Sequence, residues 1–253
     1  MENKVLKLKY TEIALRFLKL MNAKYRIICA LATGSYYTGG LTESSDLDMF
    51  LITDNSSKQR ERGVLFFEGI KVSYFLNPHW KIIELLSSEK GKLKRPTAES
   101  VCFSKCFAGS NGELRKIAKK TLNSSTTKIN KQEISHLGWK LYDKIEVFNR
   151  KNYVEINKEY LRFDLLNLSI DVFFLIKRSY RPHAKYTMDR IQVLDKIFYK
   201  KLKNFLKNKS DISLTAMVNY LSQLLKFEVA GYYKRTKTTS RILERSQFED
   251  KIH

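Results

Sequence analysis

Two aspartates, Asp46 and Asp48, stand one residue apart in the run Ser45-Asp46-Leu47-Asp48-Met49-Phe50-Leu51-Ile52, and Ser35 of a Gly34-Ser35 pair precedes Asp46 by eleven positions. In an extended strand, side chains two apart share a face, so both carboxylates project together while Leu47 and Met49 turn to the other side. Like charges held side by side repel unless a cation lies between them. Aspartate oxygens suit Mg²⁺, or Mn²⁺ in its place; Mg²⁺ is held by one or two carboxylates and fills its shell with water and substrate phosphates. The pair therefore supplies half of a metal site and leaves the rest to a phosphate-bearing molecule. Alone, an Asp-x-Asp is usually a solvated strand end or a helix cap; its pairing with Gly34-Ser35 between two apolar strands sets it apart.

The elements that must position these groups follow from pattern. Residues 3 to 22 read as an amphipathic, charged first helix, and Arg26 to Thr33 (RIICALAT) as an apolar strand that Gly34-Ser35 breaks before a short helix. Such a turn offers free backbone N–H groups and the Ser35 hydroxyl to a phosphate, and glycine lets the phosphate approach the backbone. Asp46 to Thr53 reads as the second strand, followed by a hairpin of Val64 to Phe67 with Lys71 to Leu76 turning at Glu68-Gly69. Asn77-Pro78 ends that strand, His79 to Ser87 is helical, Ser100 to Phe107 reads as the last strand, and Asn111-Gly112 leads into a helix from Glu113 to Leu122.

Gly34-Ser35 followed by Asp46-Leu47-Asp48 resembles the signature of the DNA polymerase β-like nucleotidyltransferase superfamily, with Thr38-Gly39-Gly40 and Ser44-Ser45 where its members carry small and polar residues. The signature spans Arg26 to Pro78, and the wider layout is most like the aminoglycoside and minimal nucleotidyltransferases. The resemblance implies a Mg²⁺-dependent nucleotidyltransferase of the EC 2.7.7 type, with ATP the expected nucleoside triphosphate, Asp46 and Asp48 as metal ligands and catalytic residues, and Gly34 and Ser35 on the nucleotide. One departure stands out. Members place a third acid on a later strand, and by alternation that position here is Ser73, which cannot serve as a charged ligand; Glu68 at the preceding turn is a candidate substitute, against the favoured reading of an exposed turn glutamate.

After the polar linker 123–127, strand alternation disappears. Helices are expected over Lys131 to Arg150, Asn157 to Arg178, Thr187 to Lys207 and Ile212 to Tyr233, as an up-and-down bundle. The expected fold is α+β: a nucleotidyltransferase domain over 1–122, built on a mixed sheet with helices, then an acceptor-binding helical bundle over 128–233 and a polar tail over 234–253. Pro182 closes a basic segment, Lys177 to Tyr186 (KRSYRPHAKY), that resembles the aromatic-Pro-x-Lys segment of small nucleotidyltransferases. Arg178 and Lys185 are its candidates for binding triphosphate or leaving pyrophosphate, against the plain reading of a solvated basic helix end. Arg178 and His183 also form an Arg-x4-His spacing similar to that of HEPN-type ribonucleases, but with Pro182 between them. Asp164 and Asp171 share a helix face, and Asp164 is the preferred acceptor base, against ordinary surface charge.

Composition bounds the partners. Formal net charge is +21 over 253 residues, with +9 in residues 1–120 and +12 in 121–253. A field of that sign draws nucleoside triphosphates and RNA and repels cationic aminoglycosides; an abundance of Lys, Asn, Ile and Tyr is the bland account of it. With no apolar run long enough for a bilayer and three cysteines, Cys29, Cys102 and Cys106, of which Cys29 reads as core, a cytoplasmic protein with no membrane partner is expected. Length favours a small-molecule acceptor, charge favours RNA, and a protein acceptor of toxin and antitoxin type stays open. With Ser73 at the third acidic position, so does a degenerate nucleotide- or RNA-binding module.

Overall fold

Tyr10, Ile13, Ala14, Phe17, Leu18 and Met21 recur at three- and four-residue intervals, the spacing that gives a helix one apolar face. They form the buried stripe of α1 (Glu2–Asn22) in a computed structural model that describes residues 2–150 and 154–226. Five strands follow: β1 (Ile27–Ala32), β2 (Leu47–Thr53), β3 (Glu61–Phe67), β4 (Ile70–Pro78) and β5 (Lys105–Gly109). They pair in the order β3-β4-β2-β1-β5, with β2 parallel to β4 and the other pairs antiparallel, which makes an α+β fold on a mixed sheet.

Alternation along each strand sorts the sheet into two faces. Ala30, Ala32, Leu47, Met49, Leu51, Ile70, Val72, Tyr74 and Leu76 pack against α1. On the other face Cys29, Leu31, Phe50 and Ile52 pack beneath α3 (His79–Glu89), α4 (Pro96–Cys102) and α5 (Gly112–Asn123). Cys29 is core, as its strand position implies.

Ser100 to Phe107 is not one strand. Pro96 starts α4, whose Ala98, Val101 and Cys102 are buried at helical spacing, and pairing begins only at Lys105. Arg95, wholly buried just before α4, donates to the carbonyls of Leu122 at 3.0 Å and Ser124 at 2.7 Å and also to that of Thr121, so a guanidinium closes the C-terminal end of α5. Burial lowers its pKa from the usual arginine value.

By contact, the chain forms two compact units. The first is Met1–Thr127 together with Ser179–His183; the second is Lys128–Arg178 with the described residues from Ala184 onward. The short return segment is tied into the first unit: Arg181 N–H donates to the Leu93 carbonyl at 2.7 Å, His183 N–H to Glu99 Oε1 at 3.3 Å, and Tyr180 lies 5.6 Å from the Arg95 guanidinium.

The second unit is helical: α6 (Lys131–Asn149), α7 (Glu155–Ile176), α8 (Ala184–Leu194), α9 (Lys196–Asn208) and α10 (Asp211–Leu225). The helix expected over Thr187 to Lys207 is broken at Asp195, whose side chain accepts from the Ile197 and Phe198 N–H groups and so starts a new helix as its cap. Asp195 also takes Lys177 at 2.8 Å and the Tyr220 hydroxyl at 2.9 Å, which hold its carboxyl below the usual range against the cost of burial. The end of the last expected helix, to Tyr233, and the tail over 234–253 lie outside the described residues. Among the described residues no helix is long and apolar enough to cross a membrane.

Candidate active site

Asp48 sits near the start of β2, and Asp46 immediately precedes that strand. Because Leu47 and Met49 are buried under α1, both aspartates face the opposite side. Two links fix this end of β2. The Thr33 N–H donates to the Asp48 carbonyl at 2.9 Å, which ties the end of β1 to β2. The buried Tyr10 hydroxyl donates to the Ser45 carbonyl at 2.5 Å and the Thr42 carbonyl at 3.3 Å, which anchors the turn before Asp46. Burial raises the Tyr10 pKa first, and the carboxylates of Asp46 and Glu43 raise it further. Removing that hydroxyl as Tyr10→Phe is expected to cost about 1 kcal/mol and to loosen the turn, read as a lower melting temperature in thermal melts.

Gly34 opens the five-residue helix α2 (Gly34–Thr38) at φ +61°, a backbone state that favours glycine. A Cβ added there would lie 2.3 Å from Asp48 Oδ2. The glycine and the carboxylate, fourteen positions apart in sequence, are thus in direct apposition. Ser35 follows in the same turn, and Tyr36 fastens α2 to α1 through its hydroxyl, 2.8 Å from Thr11 Oγ1. Tyr37 on α2 meets Phe103 at the C-terminal end of α4, ring centroids 6.4 Å apart.

Beside the aspartates, the register of β4 places Val72 against Leu47 and Ser73 against Asp48. On this face Ser73 is therefore the lateral neighbour of Asp48, as alternation implied, and Lys71 is the neighbour of Asp46, with Nζ 3.8 Å from Oδ2. One strand further, β3 aligns Phe66 with Lys71, Val64 with Ser73 and Arg62 with Phe75. Val64 and Phe66 are exposed at 59% and 80%, and the Arg62 guanidinium lies 4.5 Å from the Phe75 ring, which stacks on Phe50. Glu68 does not join this group. It pairs with Arg16 of α1 at 2.7 Å.

The donor set fits one divalent cation of the Mg²⁺ type: two carboxylates on one face, with a side-chain-free Gly34 leaving room at Asp48. Among the described residues no group of three His, Cys, Asp or Glu converges. The remaining residues read from sequence belong to the second unit. Asp164 on α7 forms an ion pair with Lys144 of α6, Arg178 lies just past the Lys177 cap of α7 at φ +50°, and Lys185 in the first turn of α8 lies 5.1 Å from the Tyr186 ring.

Sequence reading passed over Lys71 and Arg62, whose place depends on strand register, and Glu99 on α4. Burial, with the Glu89 carboxylate adding to it, pushes the Glu99 carboxyl up to about 7, and the His183 N–H partly opposes the shift. The folded protein then holds this proton up to about pH 7, whereas an unfolded chain releases it near the ordinary 4.5. Stability from this group is lost as pH rises between those values. Glu99→Gln is expected to flatten the pH dependence of the melting temperature across that window and to raise it at pH 8; an unchanged profile in thermal melts contradicts this.

Residues 15–106 match the family model of the nucleotidyltransferase domain. The matched stretch contains Gly34, Ser35, Asp46, Asp48 and all of β1 to β4, and it lies within the first unit. A nucleotidyltransferase-like protein from Exiguobacterium sibiricum 255-15, known from its crystal structure, is similar at 15% identity and a TM-score of 0.45, covering 91% of this chain and 81% of that one. No curated protein matches the chain.

Proposed function

We propose that this protein is a Mg²⁺-dependent nucleotidyltransferase that moves a nucleoside monophosphate from a nucleoside triphosphate, ATP being the first candidate, to an acceptor hydroxyl. The observation that carries the reading is the apposition of Gly34 to Asp48, with Asp46 beside it on the same sheet face. Asp46 and Asp48 are the residues to hold Mg²⁺, which when bound neutralises phosphate charge and fixes the triphosphate for attack. Gly34 leaves the backbone open to the phosphates, and the Ser35 hydroxyl donates to a phosphate oxygen. The acceptor oxygen forms a bond to the α-phosphorus in line with the leaving group. The bond from that phosphorus to the bridging oxygen breaks, its electron pair leaves with pyrophosphate, and the hydroxyl proton passes to a carboxylate, for which Asp164 is the candidate. Arg178 and Lys185 are the candidates to stabilise the departing pyrophosphate.

A small hydroxylated acceptor of antibiotic type fits the length of the chain. RNA is the second reading, and the face beside the carboxylates favours it: Lys71 and Arg62 interleaved with Phe66 and Phe75 suit phosphates and stacked bases. The same cations repel a polycationic aminoglycoside. A cytoplasmic setting agrees with Cys29, Cys102 and Cys106 being free thiols.

The test is transfer of α-labelled ATP, GTP, CTP and UTP, with Mg²⁺ or Mn²⁺, onto tRNA, an aminoglycoside panel and cell protein. Label on one acceptor class with the wild type, absent with Asp46→Ala, supports the reading and identifies the acceptor. Nucleotide binding with no label on any acceptor replaces it with a binding module in which Ser73 has displaced the third acid.

A further inference from the structure

We propose that this site holds one divalent cation rather than two, and that the Lys71 ammonium beside Asp46 supplies its second positive charge. The inference rests on the nucleotidyl-transfer reading above and refines its electrostatics. A two-ion site sets its cations about 4 Å apart, a repulsion that needs a further carboxylate. Here the lateral neighbours of Asp46 and Asp48 are Lys71 and Ser73, a cation and a neutral hydroxyl.

Three other carboxylates near the sheet are committed elsewhere. Glu61 accepts from the Tyr25 and Tyr74 hydroxyls on the α1 side, Glu68 pairs with Arg16, and Asp54 pairs with Arg26 at 3.2 Å. Among the described residues, a second divalent ion would meet no carboxylate on the strand position beside Asp46 or Asp48, and it would enter against an ammonium already in place.

The Lys71–Asp46 pair is loose, 3.8 Å long between side chains that are 49% and 42% exposed, so holding it contributes little to the fold. The ammonium is therefore at liberty to leave Asp46 for a substrate phosphate oxygen at small cost. That supplies transition-state charge without a second ion.

Mn²⁺ binding to the full chain, followed by electron paramagnetic resonance with and without α,β-methylene-ATP, tests this apart from turnover. One Mn²⁺ per chain in the nucleotide complex is expected for the wild type. Without nucleotide, Lys71→Met is expected to bind Mn²⁺ about fivefold more tightly, the scale of one opposite charge at about 4 Å in water. It is also expected to lose at least tenfold in turnover, with Lys71→Arg restoring most of it. The double variant Lys71→Met/Ser73→Asp is expected to bind a second Mn²⁺. Two Mn²⁺ in the wild type, or unchanged Mn²⁺ affinity in Lys71→Met, overturns the inference and leaves nucleotidyl transfer standing. Mn²⁺ binding that survives intact in Asp46→Asn/Asp48→Asn overturns the inference and the underlying reading together.

Discussion

Asp48→Asn, alone or with Asp46→Asn, is expected to yield a folded protein whose nucleotidyl transfer falls by on the order of 10³-fold or more, about 4 kcal/mol of lost transition-state stabilisation. Asparagine keeps the size of the side chain and removes the charge a divalent cation requires. The buried neighbours Leu47 and Met49, which anchor β2 under α1, are untouched. Stability is expected to hold or rise, because two adjacent carboxylates repel in the absence of a cation. Thermal melts and single-turnover transfer on the same preparations check both halves. A variant within tenfold of wild-type turnover contradicts the assignment of Asp48.

Gly34→Ala is the second large effect, and it acts through geometry rather than charge. At φ +61° any side chain is strained by roughly 1–2 kcal/mol. The added methyl would also stand 2.3 Å from Asp48 Oδ2, so the carboxylate or the turn must move. A displacement of that order costs on the order of 10²-fold in a reaction that depends on positioning. Gly39→Ala is the control. Its φ of +82° carries a similar strain, but nothing lies within 4 Å of the added carbon. Both variants are expected to lose stability in denaturant titrations, Gly34→Ala at least as much as Gly39→Ala, and only Gly34→Ala to lose transfer. Equal turnover in the two contradicts a role for the Gly34–Asp48 apposition.

The parts of this site that sequence made legible are those set by local periodicity. Alternation alone placed Asp46 and Asp48 on one face and Ser73 on the inward polar side of the later strand, and the Glu68-Gly69 turn was visible as a hairpin signal. What stayed hidden depends on partners distant in sequence. That Lys71 neighbours Asp46 requires the parallel register of β2 with β4, and that Gly34 faces Asp48 requires the β1–β2 pairing. The Val101-Cys102-Phe103 run read as a strand because short apolar runs do not distinguish strand from buried helix; Pro96 at the start of α4 was the local signal for the helix. The break at Asp195 was likewise a capping signal inside an otherwise continuous helical pattern. The return of Ser179–His183 to the first unit rests on Leu93, Arg95 and Glu99, more than eighty positions away, and no local pattern announces it.

Nucleotidyl transfer at this site requires that the bond broken lie between the α- and β-phosphates and that Asp46 and Asp48 be needed to break it. Paired assays with α-labelled and γ-labelled ATP, on wild type and Asp46→Asn/Asp48→Asn, test it most directly. The expected result is α-label on the acceptor, γ-label released only as pyrophosphate, and neither with the double variant. Transfer of γ-label to the acceptor, or α-label transfer that survives loss of both aspartates, would contradict it.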